Sequence, residues 1–291
     1  MNIRKYQAFV KTAEYASFTK AAKDLRCTQS GVSRMISDLE NELGVTLLDR
    51  SRAGVSLTSE GVELLPYMQR ICSEDRNMLS HIQDLHGLEG GLIRVGTFSS
   101  IATHWLPNMI RHFEQAYPKI DFELQLGDYG EIENWVTQGK VDFGFLPLTG
   151  KMELETRVVE RDRFLVVMPK QHPLAGLDRI PPKELENYPF MLLEKGGKTE
   201  ISAILDRFGL RPKIRFTTWD DYAIMAMVEH GLGVSILPEL ILRRVPYRIV
   251  ARELEQPAYR ELGIAMRSYE TLPLAVKKFL EYLPCRWQDA E

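Results

Sequence analysis

The sequence predicts an α/β protein with three parts: an N-terminal winged helix-turn-helix, a long linker helix and a two-lobed domain. Three observations support this fold class. Residues 17–48 contain two helical patterns separated by a short corner. Residues 58–86 form one long helical pattern that ends at a glycine-rich break. From residue 91 onwards, apolar strand patterns alternate with amphipathic helical patterns, which is typical of sheets flanked by helices.

Helix caps and apolar spacing predict the two helices of the first part. Thr19 is a suitable N-cap for a short helix, because its hydroxyl can accept a hydrogen bond from a free amide of the first turn. Thr28 is expected to cap a second helix, which ends near Leu43 because Gly44 stops it. Apolar residues spaced three or four apart form the buried stripe of this second helix: Val32, Ile36, Leu39 and Leu43.

The opposite face of the second helix is polar. It carries Gln29, Ser30, Ser33, Arg34 and Ser37. Spacings of four residues place these side chains in adjacent rows on one side of the helix. Gln can bond bidentately to adenine, Arg to guanine, and Ser to base edges or phosphates, while the helix end at Thr28 attracts a phosphate. We therefore predict that this face enters a DNA major groove. The alternative is a polar surface on a small helical bundle.

A short hairpin is expected to follow the second helix. Residues 45–58 have β-branched residues on both sides of Ala53 and Gly54, a pattern that predicts two short strands and a turn. Arg50 and Arg52 lie in this wing, where they can contact flanking phosphates or the minor groove. The alternative is that both arginines are simply solvated.

The stretch from Tyr6 to Thr58 resembles the winged helix-turn-helix of the LysR-type transcriptional regulators, and its spacing holds without gaps. The matching residues are Phe9, Ala13, Ser17, Phe18, Ala21, Ala22, Leu25, Gln29, Ser30, Val32, Ser33, Ile36, Leu39, Glu40, Leu43, Gly44, Leu47, Arg50, Leu57, Thr58 and Gly61. The resemblance implies a regulator that binds double-stranded promoter DNA as a homodimer or homotetramer. It also implies a small-molecule effector and an influence on RNA polymerase. The sequence departs from the family at Gly31, where Ala or Pro is common, and glycine there costs roughly 1 kcal/mol of helix stability.

The charge is distributed unevenly along the chain. Residues 1–57 carry nine Lys or Arg and six Asp or Glu, a net charge of +3. The whole chain carries −3, so the remainder carries −6. A single weakly basic head binds DNA poorly, because affinity for the phosphate backbone rises with the number of cationic contacts. We therefore expect two or more heads to act together.

The linker segment predicts a helix with a narrow apolar seam. The seam residues repeat at intervals close to three and four, with Asp75 interrupting them: Leu65, Met68, Cys72, Leu79, Ile82 and His86. Such a helix pairs with a partner helix, so we expect dimerisation here. The alternative is packing on the body of its own chain. Pro66 is expected to kink or loosen the first turns, and residues 87–91 predict a flexible break.

The remaining chain is expected to form a two-lobed effector-binding domain. Its strand and helix order implies parallel sheets with helices on both faces, and it resembles the LysR effector domain, which is similar to periplasmic binding proteins. The crossings between the lobes are expected near residues 160–162 and 265–268. The expected boundaries are 1–58 for the DNA-binding domain, 59–90 for the linker and hinge, 91–161 with 267–291 for lobe I, and 162–266 for lobe II.

Candidate effector contacts lie where strands end and helices begin, because ligands of such sheets bind at the carboxyl ends of the strands. The turn after the first strand has hydroxyls and free amides suited to an anion: Thr97, Ser99, Ser100 and Ile101. The corresponding turn of lobe II carries Lys195, Lys198 and Thr199. The resemblance adds Gly127, Asp128, Pro147, Thr218, Trp219 and Val234. We expect a small anionic effector between the lobes. The alternative is that the Ser and Thr residues only cap helices.

Other classes of protein find less support in the sequence. No apolar run of 18 residues is present, and residues 1–17 do not resemble a signal peptide, so we expect a cytoplasmic protein. The three cysteines are too far apart for a disulfide framework or a metal site, and Cys27 is expected to be a small buried residue. Residues 196–199 and 231–236 lack glycines that a P-loop and a dinucleotide site require. We expect no cofactor, and an enzyme with a fused DNA-binding head is the less favoured alternative.

Overall fold

The computed structural model describes residues 2–51, 54–85, 90–150, 152–194 and 200–287. The helices of this part of the chain are α1 (Ile3–Tyr15), α2 (Phe18–Asp24), α3 (Gln29–Leu43), α4 (Ser59–Leu85), α5 (Ser99–His104), α6 (Leu106–Ala116), α7 (Tyr129–Thr137), α8 (Glu200–Arg207), α9 (Asp221–Glu229) and α10 (Leu274–Leu280). The strands are β1 (Leu48–Ser51), β2 (Gly54–Leu57), β3 (Gly91–Thr97), β4 (Ile120–Leu126), β5 (Phe143–Pro147), β6 (Glu155–Pro169), β7 (Arg179–Ile180), β8 (Phe190–Leu193), β9 (Ile214–Thr218), β10 (Ser235–Pro238), β11 (Ile249–Leu254) and β12 (Tyr259–Met266). None of the described helices is both long enough and apolar enough to cross a membrane.

The head contains the predicted pair of helices, and α3 has the predicted limits. The Thr28 hydroxyl accepts a hydrogen bond from the Gly31 amide at 3.1 Å, and Gly44 ends the helix in the left-handed conformation. The predicted cap of α2 is wrong: Ser17, not Thr19, caps it and accepts from the Lys20 amide at 3.3 Å. Both side chains can cap a helix, and packing of the neighbouring Phe18 on the head core favours the earlier start.

The corner between α2 and α3 corrects a second expectation. Arg26 adopts a left-handed conformation with φ of 51°, and the Cys27 amide donates to the Ala22 carbonyl at 2.9 Å. This tight corner leaves Cys27 exposed rather than buried. The small residues Ala21 and Ala22 occupy the buried positions of the helix pair instead.

The predicted wing is present. Strands β1 and β2 pair in antiparallel orientation, with Leu48 opposite Leu57. Leu48 is buried and Leu57 packs against the head core, so these two leucines anchor the hairpin to the helices. Arg52 and Ala53 lie outside the described residues.

The linker helix α4 runs for 27 residues and continues through Pro66. Its length is about 40 Å at 1.5 Å per residue. The predicted seam is divided: Met68 and Cys72 are buried against the head core, whereas Leu79 and Ile82 are exposed. The reason is that the first turns of α4 pack on the head core. The spacing of apolar residues alone cannot distinguish this packing from pairing with another helix. His86 and most of the predicted break lie outside the described residues.

The main sheet of the second domain is mixed, not parallel as predicted. Its strand order is β4-β3-β5-β12-β6-β11-β7, and β10 also pairs with β6. Strand β3 is parallel to β4 and β5, as the repeated strand and helix pattern predicts. Strand β12 returns antiparallel to both β5 and β6, and β10 and β11 are antiparallel to β6. Strands β8 and β9 form a separate parallel pair.

Two lobes with separate cores are joined by β6 and β12. Lobe I packs around Phe113, Phe143 and Phe279, and lobe II packs around buried residues such as Val166 and Phe190. The second crossing lies earlier than the expected residues 265–268. Ala258 belongs to the core of lobe II, whereas Leu262, Ile264 and Met266 already belong to the core of lobe I. The strands therefore cross near Asp162 and Arg260, which are in direct contact.

The helix expected over residues 100–117 is two helices. It is interrupted at the buried Trp105, which lies between α5 and α6. Pro107 accounts for the break, because proline has no amide hydrogen with which to continue the hydrogen bonding of α5 into α6. The short strands β7 and β11 were not anticipated from the sequence. Together, these elements place the ends of β3, β4 and β5 opposite lobe II.

Candidate functional sites: the DNA-contacting face and the interlobe cleft

The polar face of α3 is open to solvent. Gln29, Ser30 and Arg34 are exposed, whereas Val32 and Ile36 on the other side of the helix are fully buried. Burial of the apolar stripe fixes the helix on the head and directs the polar rows outward. Such a face is accessible to a DNA groove, and its side chains have the donors and acceptors that base edges recognise.

Arg50 connects the wing to α3. Its guanidinium donates to the hydroxyls of Ser33 and Ser37, both at 3.1 Å, and to Glu40 at 3.2 Å. Glu40, which was not among the predicted site residues, also accepts from the Leu47 amide at 2.9 Å. In this arrangement Arg50 holds the hairpin against the polar face, and Ser33 is only half-buried beneath it. Arg52, the other predicted wing contact, lies outside the described residues.

A cleft of about 700 Å³ separates the two lobes. The predicted residues that line it are Ser99, Ser100, Gly127, Asp128, Pro147 and Trp219. Asp128 is also the N-cap of α7, where it accepts from the Glu131 amide at 2.8 Å. Gly127 must be small, because a Cβ built there would approach the Trp135 ring to 2.4 Å. Both positions therefore shape the wall of the cleft.

Four predicted effector contacts do not line the cleft. Thr97, Ile101 and Val234 are fully buried, and the latter two pack in the cores of lobe I and lobe II. Thr218 ends β9 and its hydroxyl accepts from the Asp220 amide at 3.3 Å, which leaves Trp219 to face the cavity. Alternation along β3 and β9 explains Thr97 and Thr218, because neighbouring residues of a strand point to opposite faces. Ile101 lies on the buried side of α5. Lys195, Lys198 and Thr199 lie outside the described residues.

The central polar group of the cleft was not predicted from the sequence. Arg260 of β12 lines the cavity, yet its side chain is only 3% exposed. Its guanidinium donates to Asp162 Oδ2 at 2.8 and 2.9 Å, to the Tyr129 hydroxyl at 2.8 Å and to Ser100 Oγ at 3.3 Å. Glu200 Oε2 lies 3.5 Å from Arg260 Nη1 and accepts from the Tyr129 hydroxyl at 3.1 Å. One arginine thus joins both crossing strands, lobe I and lobe II.

Burial controls the protonation of this group. Desolvation raises the pKa of Asp162 and of Glu200, although the Arg260 charge opposes the shift. It also raises the pKa of Asp221, at the start of α9, to about 6. The rings of Phe98 and Phe164, with centroids 5.4 and 5.8 Å from the guanidinium carbon, exclude water from two sides. The lining is therefore acidic overall, with Arg260 as the cation among its described residues.

The sequence carries little signal of this cluster. Arg260 looks like any other arginine of an alternating strand, and Asp162 is 98 residues away in the chain. Only the antiparallel pairing of β6 with β12, in which Arg260 is opposite Asp162, brings the two together. Within the described residues, no group of three or more His, Cys, Asp or Glu side chains is arranged to hold a metal ion.

Comparison with known proteins finds two family models that match the chain. The family model for the bacterial regulatory helix-turn-helix protein, lysR family, matches residues 3–62. The family model for the LysR substrate binding domain matches residues 86–288. The chain is 33% identical to an uncharacterized HTH-type transcriptional regulator, YvbU of Bacillus subtilis (strain 168), over 97% of both chains.

Two solved structures share the fold. A full-length OxyR variant from Pseudomonas aeruginosa has a TM-score of 0.77 and 21% identity, covering 100% of this chain and 96% of that one. Full-length CbnR complexed with its target DNA has a TM-score of 0.69 and 21% identity, covering 98% of this chain and 100% of that one. The head, the linker helix and the two lobes therefore have counterparts in known structures.

Proposed function

Because the chain belongs to the LysR family of transcriptional regulators, we propose that the exposed face of α3 contacts its promoter and that the interlobe cleft binds its effector. The protein is a DNA-binding regulator with a substrate-binding domain. Its relatives are regulators, and we propose that the cleft binds a small molecule without transforming it. We also propose that it acts in the cytoplasm, where promoter DNA and RNA polymerase are found.

The observation that carries the DNA assignment is the exposure of Gln29, Ser30 and Arg34 on a helix whose other face is fully buried. In this proposal α3 enters the major groove, Thr28 and the helix end face a phosphate, and the wing, with Arg50 and Arg52, lies along the flanking backbone. A homodimer or homotetramer places two heads on half-sites about 34 Å apart or a multiple of that distance.

The cleft suits a small molecule because its volume of about 700 Å³ falls in the usual range of ligand pockets. The proposed effector is a small anion. Binding favours one arrangement of the lobes over another and thereby changes the spacing of the heads on DNA. That change alters the access of RNA polymerase to the promoter. Lys195, Lys198 and Thr199 remain candidate contacts on the lobe II side.

The test is binding of the full-length protein to the DNA upstream of its own gene, compared with a random duplex of equal length. Gln29→Ala is expected to weaken binding by about 1–3 kcal/mol and to relax the preference at one base pair, because a bidentate contact is lost. Asn41→Ala, at an exposed position near the other end of α3, is the matched control and should bind as the wild type does.

Arg52→Ala should instead weaken binding to every sequence alike, because a phosphate contact carries no sequence information. Fluorescence anisotropy across a set of single-base variants of the site separates the two effects. Equal affinity of the wild-type protein for its upstream DNA and for the random duplex would overturn the assignment of α3.

A further inference from the structure

We infer that Arg260, Tyr129 and Ser100 form an oxyanion subsite of the cleft, and that Glu200 is a resident carboxylate which a carboxylate group of the effector displaces. The inference rests on the proposed function, because it assigns chemistry to the same cleft. The ligand class is a small carboxylic acid in its ionised form. Ser100 was already a candidate contact from the sequence, whereas Arg260, Tyr129 and Glu200 are assigned from the structure.

Two donors of the subsite, Tyr129 and Arg260, converge on one oxygen of Glu200. Glu200 Oε2 accepts from the Tyr129 hydroxyl at 3.1 Å and lies 3.5 Å from Arg260 Nη1. Ser100 Oγ, at 3.3 Å from Arg260 Nη2, adds a hydroxyl at the edge of the same group. Hydrogen bonds from a guanidinium to a carboxylate are charge-assisted and are among the stronger ones in proteins. The pocket therefore already holds a carboxylate at the position proposed for the effector.

Of the two carboxylates beside Arg260, Glu200 is the exchangeable one. Asp162 accepts from Nε and Nη2 at 2.9 and 2.8 Å, and it is buried on the strand that pairs with β12. This contact neutralises the guanidinium and fixes its plane, which leaves Nη1 directed towards Tyr129 and Glu200. Glu200 is held by the longer contact and comes from α8 of lobe II, which does not pair with β12.

Glu200 also fits its position imperfectly. Its Oε1 is buried and has no hydrogen-bond partner among the described residues. A buried acceptor without a donor destabilises the state that contains it. Burial also raises the pKa of the Glu200 carboxyl, so the ionised form is less favoured there than in water. Release of Glu200 into solvent removes both penalties, and an effector carboxylate can then accept from the vacated donors.

Charge favours exchange over simple addition. Asp162, Glu200 and Asp221 already surround the single guanidinium, so a further anion beside all three would be repelled. Exchange of one carboxylate for another leaves the local charge unchanged. It also removes the Tyr129–Glu200 hydrogen bond, which links α7 of lobe I to α8 of lobe II across the cleft. Binding is thereby coupled to the relative position of the lobes.

The test uses the full-length protein with sodium acetate as the probe and sodium chloride at equal ionic strength as the reference. Glu200→Gln is expected to bind acetate about tenfold more tightly, because a neutral amide competes for the guanidinium less strongly than a carboxylate. Glu194→Gln is the matched control. It removes the same charge from the same cleft, but Glu194 accepts from Ser202 Oγ at 2.7 Å. Tyr129→Phe should bind acetate more weakly than the wild type.

Thermal-shift titration of the four proteins measures these affinities, and binding to the upstream DNA is measured on the same samples. An equal gain in acetate affinity for Glu200→Gln and Glu194→Gln would overturn the inference, because the loss of one negative charge anywhere in the cleft would then explain the effect. Preferential binding of methylammonium over acetate by the wild type would also overturn it and assign the acidic lining to a cation. If either of these two results is found while the wild type still prefers its upstream DNA to the random duplex, the carboxylate subsite is refuted and the proposed function stands. Loss of the DNA preference in the wild type would instead refute the proposed function.

Discussion

Asp221 illustrates how the cleft controls a single side chain. Burial raises its pKa from 3.8 to about 6, Arg260 opposes the shift, and Asp220 and Glu200 add to it. Between these two values the folded protein holds a proton that the unfolded chain has released. The resulting contribution to stability is present at low pH and is lost as the pH rises through about 6.

We predict that Asp221→Asn reduces this pH dependence. Between pH 4 and pH 7 the wild type should lose roughly 1–3 kcal/mol of unfolding free energy relative to the Asn variant, since the amide does not titrate. Urea unfolding at several pH values measures the difference, and the Asn side chain keeps the size of the original. Parallel pH profiles for the two proteins would contradict the prediction.

The residues of the two candidate sites differ in how far the sequence alone predicts them. The polar face of α3 was predictable because its cap at Thr28, its stop at Gly44 and its apolar stripe all lie within 17 residues of chain. Arg260 was not predictable, since its partners come from four distant segments of the chain. Local signals predicted the exposed polar face of α3, whereas the chemistry of the cleft depends on strand pairing across the whole domain.

At the scale of elements, α4 is docked on lobe I of its own chain. Arg76 donates to the Gly139 carbonyl at 2.8 Å, and Arg267 donates to Glu74 at 2.6 Å and to Ser73 at 3.0 Å. Arg267 follows β12, the strand that carries Arg260 into the cleft. A displacement of β12 by a bound effector would therefore reach α4 directly. The alternative of a helix packed on its own body is correct for this part of α4.

We predict that Gly139→Ala disrupts this docking. Gly139 has φ of 67°, and a Cβ built there would lie 2.2 Å from Ser73 Oγ and 2.6 Å from Ser73 Cβ. Gly209→Ala is the matched control, because Gly209 has φ of 64° but open space around it. The control should lose about 1 kcal/mol through backbone strain alone, and Gly139→Ala should lose roughly 1–2 kcal/mol more through the clash.

Chemical denaturation measures the two losses, and hydrogen exchange of residues 70–80 reports whether α4 leaves the lobe. Faster exchange is expected in Gly139→Ala only. Similar stability and exchange in the two variants would show that the contact between α4 and lobe I is too weak to hold the helix.

Elements were predicted more reliably than their assembly. Helix α3 and the alternation of β3, α7 and β5 follow from local periodicity. The antiparallel return of β12 was missed, because the direction of a strand relative to distant neighbours leaves no pattern within the strand itself. Because of this error, the second crossing between the lobes was predicted near residues 265–268, whereas it lies near Arg260.

At the scale of the whole molecule, α4 carries an apolar stripe that the single chain leaves uncovered. Tyr67, Ile71, Met78 and Ile82 are all exposed and lie along one side of the helix. Exposed apolar stripes of this kind are typical of helices that pair with a partner. The net charge of only +3 over residues 1–57 also favours a second copy, because DNA affinity rises with the number of cationic contacts. Both features favour a homodimer formed through α4.

We predict that Met78→Asp separates the subunits. Met78 is 55% exposed in the single chain, and an aspartate buried there in a helix pair would be desolvated without a partner. The dimer dissociation constant should rise at least roughly 100-fold, because an unpaired buried charge is disfavoured by several kcal/mol. Val62→Asp is the matched control, because Val62 is 58% exposed on α4 but lies away from the stripe.

Sedimentation velocity over a range of protein concentrations measures the dissociation constant, and anisotropy with the upstream DNA measures the consequence. Loss of the second head should reduce affinity for a two-half-site DNA by about 10²–10⁴-fold while leaving affinity for an isolated half-site unchanged, because only the effective concentration of the second head is lost. Equal dimerisation of Met78→Asp and Val62→Asp would show that the heads are paired through another surface. A fall in half-site affinity would show that α4 acts on the fold of the head instead.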